Sequence, residues 1–145
     1  MSATNLFEDD LLDHIFTNTT CPNVGDAAGL LASASPGSFA ISLHTGNTIS
    51  DTSTVQTDSE AAYTGYARET VARSVAGWTV ASGTATNDAA ITFTISTSGP
   101  ETETDVGLGG FAGVLQIWSS LDADLVVNNG VTPEFAISAL AISLD

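Results

Sequence analysis

Two spacings of apolar residues divide the chain. Over Asn5 to Phe16 they recur at helical intervals, with Phe7, Leu11, Leu12, Ile15 and Phe16 on one face. Asn5 is placed to cap this helix and Glu8 follows three residues on, as in a capping box. Glu8, Asp9 and Asp10 set negative charge against the positive end of the helix dipole. From residue 38 the period falls to two. Phe39, Ile41 and Leu43 alternate with Ala40, Ser42 and His44, and Ile91, Phe93 and Ile95 alternate with threonines, each the pattern of a strand with one buried face. Further extended stretches run over Tyr66 to Ser74, Trp78 to Ala81 and Thr84 to Asn87.

The apolar run from Val106 to Gly113 is broken by glycines, where another backbone or a bulky ring can come close, and continues through Val114, Leu115, Ile117 and Trp118. Leu125 to Val127 meets Asn128-Asn129-Gly130, whose Asn-Gly pair signals a hairpin turn. In the last stretch Phe135 and Ile137 fall in one phase and Leu140, Ile142 and Leu144 in the other. Both halves can face a core only across a bend or bulge near Ser138-Ala139.

Between these elements, Pro22, Gly25, Gly29, Pro36 and Gly37 mark residues 18–37 as a connector with at most one short helical turn near Ala27 to Ala32. Residues 46–62, rich in Thr, Ser and Asp, read as an exposed loop and a candidate contact arm. Ser96 to Asp105, with Glu101, Glu103 and Asp105, reads as a solvated loop. The resulting expectation is a single domain over 1–145: an N-terminal helix (1–17), the connector, and an antiparallel β-sandwich or jelly-roll-like body (38–145), mainly β in class. The apolar helix face, with Phe7, Leu11 and Ile15, either packs on its own sheet or docks on a neighbouring subunit.

Composition narrows the function. The 145 residues are 43% hydrophobic, enough for a self-sufficient core, and carry a formal charge of −15. Arg68 and Arg73 are the only cations besides histidine. Such a field repels a phosphate backbone, so direct nucleic-acid binding is disfavoured; the charge suits solubility or a salty habitat. Each arginine is expected to hold a carboxylate in a bidentate pair, within the domain or between subunits.

Cys21 is alone, so no internal disulfide forms, and it reads as a small filler. The acidic start and the lack of a long apolar run predict neither a signal peptide nor a membrane span, and a chain made soluble in a cytosol. His14 and His44 lie far from any nucleophile elbow, and the two histidines and one cysteine lack zinc-site spacing. Glu101, Glu103 and Asp105, or Asp122 and Asp124, could offer calcium oxygen ligands, but neither spacing matches the twelve-residue calcium loop. The chain is therefore expected to have no catalytic residues, no metal and no cofactor. Asn18-Thr19-Thr20 matches the glycosylation triplet but carries no weight without a secretory signal.

The runs Phe39-Ala-Ile-Ser-Leu-His-Thr-Gly46 and Tyr63-Thr-Gly-Tyr-Ala-Arg68, then Trp78 with Gly83-Thr-Ala-Thr-Asn87 and Ala90-Ile-Thr-Phe93, and last Pro133 to Asp145 carry a resemblance. Together they resemble a family of small tailed-bacteriophage virion proteins, some tail-fibre-like and others similar to head decoration or cement proteins. The resemblance implies a decoration protein made in the host cytoplasm. It would bind the outer face of the shell formed by the major capsid protein, as a homotrimer, with subunit or capsid contacts through Phe7, Leu11, Ile15, Arg68 and Arg73. The alternative it implies is a tail component: a fibre, a fibre adaptor or a receptor-binding protein. Two departures bear on local strand geometry: the Val106 to Ile117 stretch is richer in glycine than the family's, and Ser138 stands where the family has glycine.

Overall fold

The computed structural model describes residues 3–110 and 113–144. Phe111 and Ala112, in the glycine-broken run, and the terminal Asp145 lie outside the described residues. The fold is mainly antiparallel β-sheet with one short N-terminal helix, as the two spacings predict. The chain forms two compact units. One takes the residues up to Gly37, Ala72–Ile91 and those from Phe135 on; the other takes Ser38–Val71 and Thr92–Glu134.

In the first unit, α1 (Asn5–Leu12) runs into a π-helical turn over Asp13–Thr17, which Asn18 ends in the left-handed conformation at φ 62°. The cap is Thr4, whose hydroxyl accepts from the Phe7 amide at 3.4 Å; Asn5 is already helical. Of the predicted apolar face, Leu12 and Phe16 are fully buried, Leu11 and Ile15 half-buried, and Phe7 is 42% exposed. Phe16 packs on Trp78 with ring centroids 4.8 Å apart. Leu12 and Phe16 thus pack within their own unit, while Phe7 keeps a partly exposed surface.

Trp78 opens β3 (Trp78–Ala81), which turns through Ser82 and Gly83, both at positive φ (56° and 73°), into β4 (Thr84–Asn87). The Gly83 amide donates to Asp9 Oδ1 at 2.6 Å, tying this turn to α1. β4 pairs antiparallel with β9 (Ala141–Ser143). The bend required before the last strand is present: Ala139 N donates to Ala136 O at 3.0 Å, and Ser138 sits at φ 60°. That left-handed conformation is one that glycine adopts at no cost and serine rarely.

Asn87, fully buried, holds this bend in place. Its amide nitrogen donates to the Ala89 and Ala136 carbonyls at 2.7 and 2.9 Å, and its oxygen accepts from Leu140 N at 2.9 Å. Removing it strands a buried amide and two carbonyls. Asn87→Ala is therefore expected to lower stability by about 3 kcal/mol in urea denaturation.

The second unit is built on a four-stranded sheet in the order β2 (Glu69–Ala72), β1 (Ser38–Thr45), β6 (Glu101–Gly109), β7 (Leu115–Val127). β6 pairs antiparallel with β1 on one side and β7 on the other. This corrects the reading of Ser96 to Asp105 as a solvated loop: Glu101 to Asp105 open an interior strand, with Glu103, Thr104 and Asp105 buried. The alternating Glu-Thr-Glu-Thr-Asp has a strand's period but no apolar member to reveal it. β1 likewise has both faces buried rather than one, since Ser42 and His44 are as enclosed as Ile41 and Leu43.

β5 (Ile91–Thr92) pairs with β8 (Glu134–Phe135) and is too short to carry the predicted alternation further. Ile95 is consequently 50% exposed, and Ser96 is buried in its place, with its amide donating to Val131 O at 2.9 Å. The Asn-Gly signal yields a turn, with Val131 N donating to Asn128 O at 3.0 Å, but no hairpin follows, because β8 pairs with β5 and not with β7.

Candidate functional site

The second unit contains a buried polar cluster that reaches from the sheet into residues 46–62. It starts at Ser42 and His44, which share one face of β1 because strand side chains alternate. The Ser42 hydroxyl lies 2.8 Å from His44 Nε2, and His44 Nδ1 lies 2.8 Å from the Asp58 carbonyl oxygen. Gln56 donates through Nε2 to Ser42 Oγ at 3.0 Å and to the Ala40 carbonyl at 2.8 Å. Its Oε1 accepts from Arg68 Nη1 at 3.3 Å. Arg68 grips Glu60 with two parallel bonds, Nε to Oε1 at 2.6 Å and Nη2 to Oε2 at 2.7 Å. The Tyr66 hydroxyl closes the cluster, donating to Glu60 Oε1 at 2.9 Å and accepting from Leu43 N at 3.1 Å.

Two glycines make room for it. A Cβ on Gly107 would come within 2.7 Å of His44 Nε2 and 2.8 Å of Ser42 Oγ, and one on Gly109 would overlap the Gln56 amide at 2.0 Å. The close approach predicted for this run is thus an imidazole over Gly107 and an amide over Gly109.

Residues 46–62 are mostly exposed, as read from the sequence, but three of them anchor the segment inward. Ile49, Gln56 and Ala61 are buried, and main-chain bonds from Thr45 N to Ser59 O (2.9 Å) and Ala61 N to Leu43 O (2.9 Å) lay the segment along β1. Thr52, Val55 and Asp58 remain exposed. Chemically the cluster orients its members tightly. Burial, together with the Glu60 charge, pushes the Tyr66 hydroxyl well above the usual phenol range, despite the opposing hydrogen bond from Leu43 N. The hydrogen bonds to Glu60 raise the Arg68 guanidinium further.

A second group of acids sits beside it on β6. Asp105 is satisfied by two hydroxyls, Ser120 at 2.9 Å and Thr104 at 2.7 Å. Glu101 accepts from Ala62 N at 3.0 Å. Glu103 is fully buried, and neither of its oxygens has a hydrogen-bond partner. Burial, and secondarily the Glu101 charge, pushes its carboxyl up to about 7. Burial and the charges of Glu103, Glu101 and Glu69 push the Tyr63 hydroxyl up to about 12. Among the described residues no group of three or more His, Cys, Asp or Glu is arranged to hold a metal ion.

Of the residues singled out from the sequence, Arg68 holds a carboxylate in the bidentate pair expected of it. Arg73 does not: its Nε, Nη2 and Nη1 donate to the carbonyls of Ile15 (2.5 Å), His14 (2.6 Å) and Pro36 (3.2 Å), closing the C-terminal end of the π-helical turn. Cations suit that end of a helix because its carbonyls are unpaired and partially negative. Phe7, Leu11, Ile15 and Arg73 belong to the first unit and Arg68 to the second. Sequence reasoning missed Ser42, Gln56, Glu60 and Tyr66 as a group. The available signals were the Tyr-Ala-Arg element and the two glycines, which mark close packing without naming what packs.

Comparison with known proteins bears on this chain through one family. The family model described as podophage GP4 fiber I protein gp80 matches residues 2–143. The chain belongs to that family. A search of curated proteins found no match. The family's description marks a phage fibre protein, a structural component of the virion, in keeping with the resemblance carried by Tyr63 to Arg68 and the C-terminal strand. Both of those podophage fibre elements have structural tasks here: Tyr66 and Arg68 hold residues 46–62 on β1, and β9 completes the sheet of the first unit.

Proposed function

We propose that this chain is a structural subunit of a podophage fibre, acting at the tail by docking on other protein subunits and turning over no external substrate. The observation that carries this reading is the match to a fibre-protein family across residues 2–143. It favours the tail over the outer capsid surface, the location that a decoration protein would occupy. The chemistry of the chain agrees: its most elaborate polar cluster is enclosed, and its charge of −15 discourages contact with nucleic acid. Apolar surface for docking is offered by Leu6 and Phe7 on α1, 73% and 42% exposed, and the partner we assign to it is a further copy of this chain. Arg68 and Arg73 already make strong bonds inside their own units and are better placed to hold the subunit's shape than to bridge subunits.

Electron cryo-microscopy of virions, with antibody raised against the chain, tests the location. Label on the tail fibres is the expected result. Label spread over the capsid shell would replace this reading by capsid decoration.

A further inference from the structure

His44 Nδ1 faces the Asp58 carbonyl oxygen, which can only accept, so Nδ1 carries the ring hydrogen and Nε2 of the neutral ring is an acceptor. The group 2.8 Å from that Nε2 is the Ser42 hydroxyl. Its single hydrogen has one other acceptor in reach, the Gly107 carbonyl at 3.2 Å, and the imidazole is the nearer. This is a nucleophile set against an oriented base. To the same oxygen the Gln56 amide nitrogen donates at 3.0 Å, so the side-chain amide must give up this bond and turn its face to Ser42 Oγ before its carbon is attacked. The amide oxygen is turned to Arg68 Nη1 at 3.3 Å, a cation fixed in place by Glu60. Ser42, His44 and Gln56 are each 0% exposed, so water neither competes with the hydroxyl nor attacks a product.

We propose that Ser42 and Gln56 become joined by an ester, made once by the folded chain itself. Ser42 Oγ bonds to Gln56 Cδ while its proton passes to His44 Nε2. The charge that develops on Oε1 faces the Arg68 guanidinium. The Cδ–Nε2 bond then breaks, and His44 returns the proton to the departing nitrogen, which leaves as ammonia. A hydroxyl and a primary amide give an ester and ammonia, with no oxidant, reductant or cofactor. Fixing both groups within one enclosed cluster supplies the proximity that a weak nucleophile and a poor leaving group need. The cross-link would tie residues 46–62 covalently to β1, beside the bidentate Arg68–Glu60 pair that holds the same segment. The inference does not depend on the fibre reading, because it concerns a single self-modification and no external partner.

The intact mass of the purified full chain, measured after denaturation, decides the matter. The expected value lies about 17 Da below the sum of its residues, the mass of one ammonia lost when an amide is displaced by a nucleophile. Fragmentation should place the deficit on a linked pair of peptides containing Ser42 and Gln56, and dilute alkali should open the link. Ser42→Ala should keep the full mass. Gln56→Glu, which can lose only water, should show a deficit of about 18 Da if it cyclises by the same route. Because either variant can fail to fold, the wild-type mass stands as the primary readout. Full mass in the folded protein after days near neutral pH would overturn the proposal. So would a deficit mapped to Asn129-Gly130, where closure of a succinimide ring also releases ammonia.

Discussion

Gly109→Ala is expected to lower the stability of the unit built on Ser38–Val71 and Thr92–Glu134 by about 4 kcal/mol. A Cβ at this position would overlap Gln56 Oε1 and Cδ at 2.0 and 2.1 Å, and no small adjustment relieves so close an approach. In the chain without a Ser42–Gln56 link Gln56 must leave, and with it go its bonds to Ala40 O, Ser42 Oγ and Arg68, so a steric cost adds to that of stranded buried polar groups. Gly110→Ala is the matched control. Its Cβ would meet only the far end of the exposed Gln116 side chain at 3.0 Å, which can swing away, so a loss below about 1 kcal/mol is expected. Urea denaturation of the two variants followed by circular dichroism measures the difference, and equal losses would show that the Gln56 contact does not anchor this unit.

Glu103→Gln should act in the opposite direction and only at higher pH. The carboxyl is pushed up to about 7 in the folded chain, above the ordinary 4.5, so the folded state holds this proton more tightly than the unfolded state does. Below pH 4.5 both states are protonated and the buried acid carries no penalty. Stability then falls as pH rises, and the loss is complete once the folded-state value near 7 is passed. The difference between the two values corresponds to about 3 kcal/mol at pH 8. Glutamine removes the titration. The variant should match the wild type near pH 4 and exceed it by that amount at pH 8, as read from urea midpoints across the range. A constant offset at all pH values would mean that the carboxyl titrates normally.

The same two positions show what was legible in the sequence. Glycines at 107 and 109 pointed to a close approach, and one occurs at each. Their spacing could not say that the neighbours are His44 and Gln56, because those contacts span more than fifty residues of chain. Glu103 was unreadable for a different reason. An acid flanked by threonines follows the rules of a solvated segment, and only its pairing between β1 and β7 puts it inside. Arg68 was recognisable as one half of a bidentate pair from charge scarcity alone. Arg73 looked the same on those grounds, yet it serves two carbonyls at a helix end and a third at Pro36.

The period of the apolar residues determined by itself that this chain is mainly β with an amphipathic helix at its start, that Phe39, Ile41, Leu43, Ile91 and Phe93 face inward, and that a bend must precede the last strand. These are local consequences of side-chain direction, which repeats every two residues in a strand and every 3.6 in a helix. Tertiary structure alone decided which polar residues join them inside. A serine, a histidine, a glutamine or a glutamate is buried only when partners distant in sequence meet its hydrogen bonds or, as at Glu103, when its proton is retained, and the local pattern records neither condition.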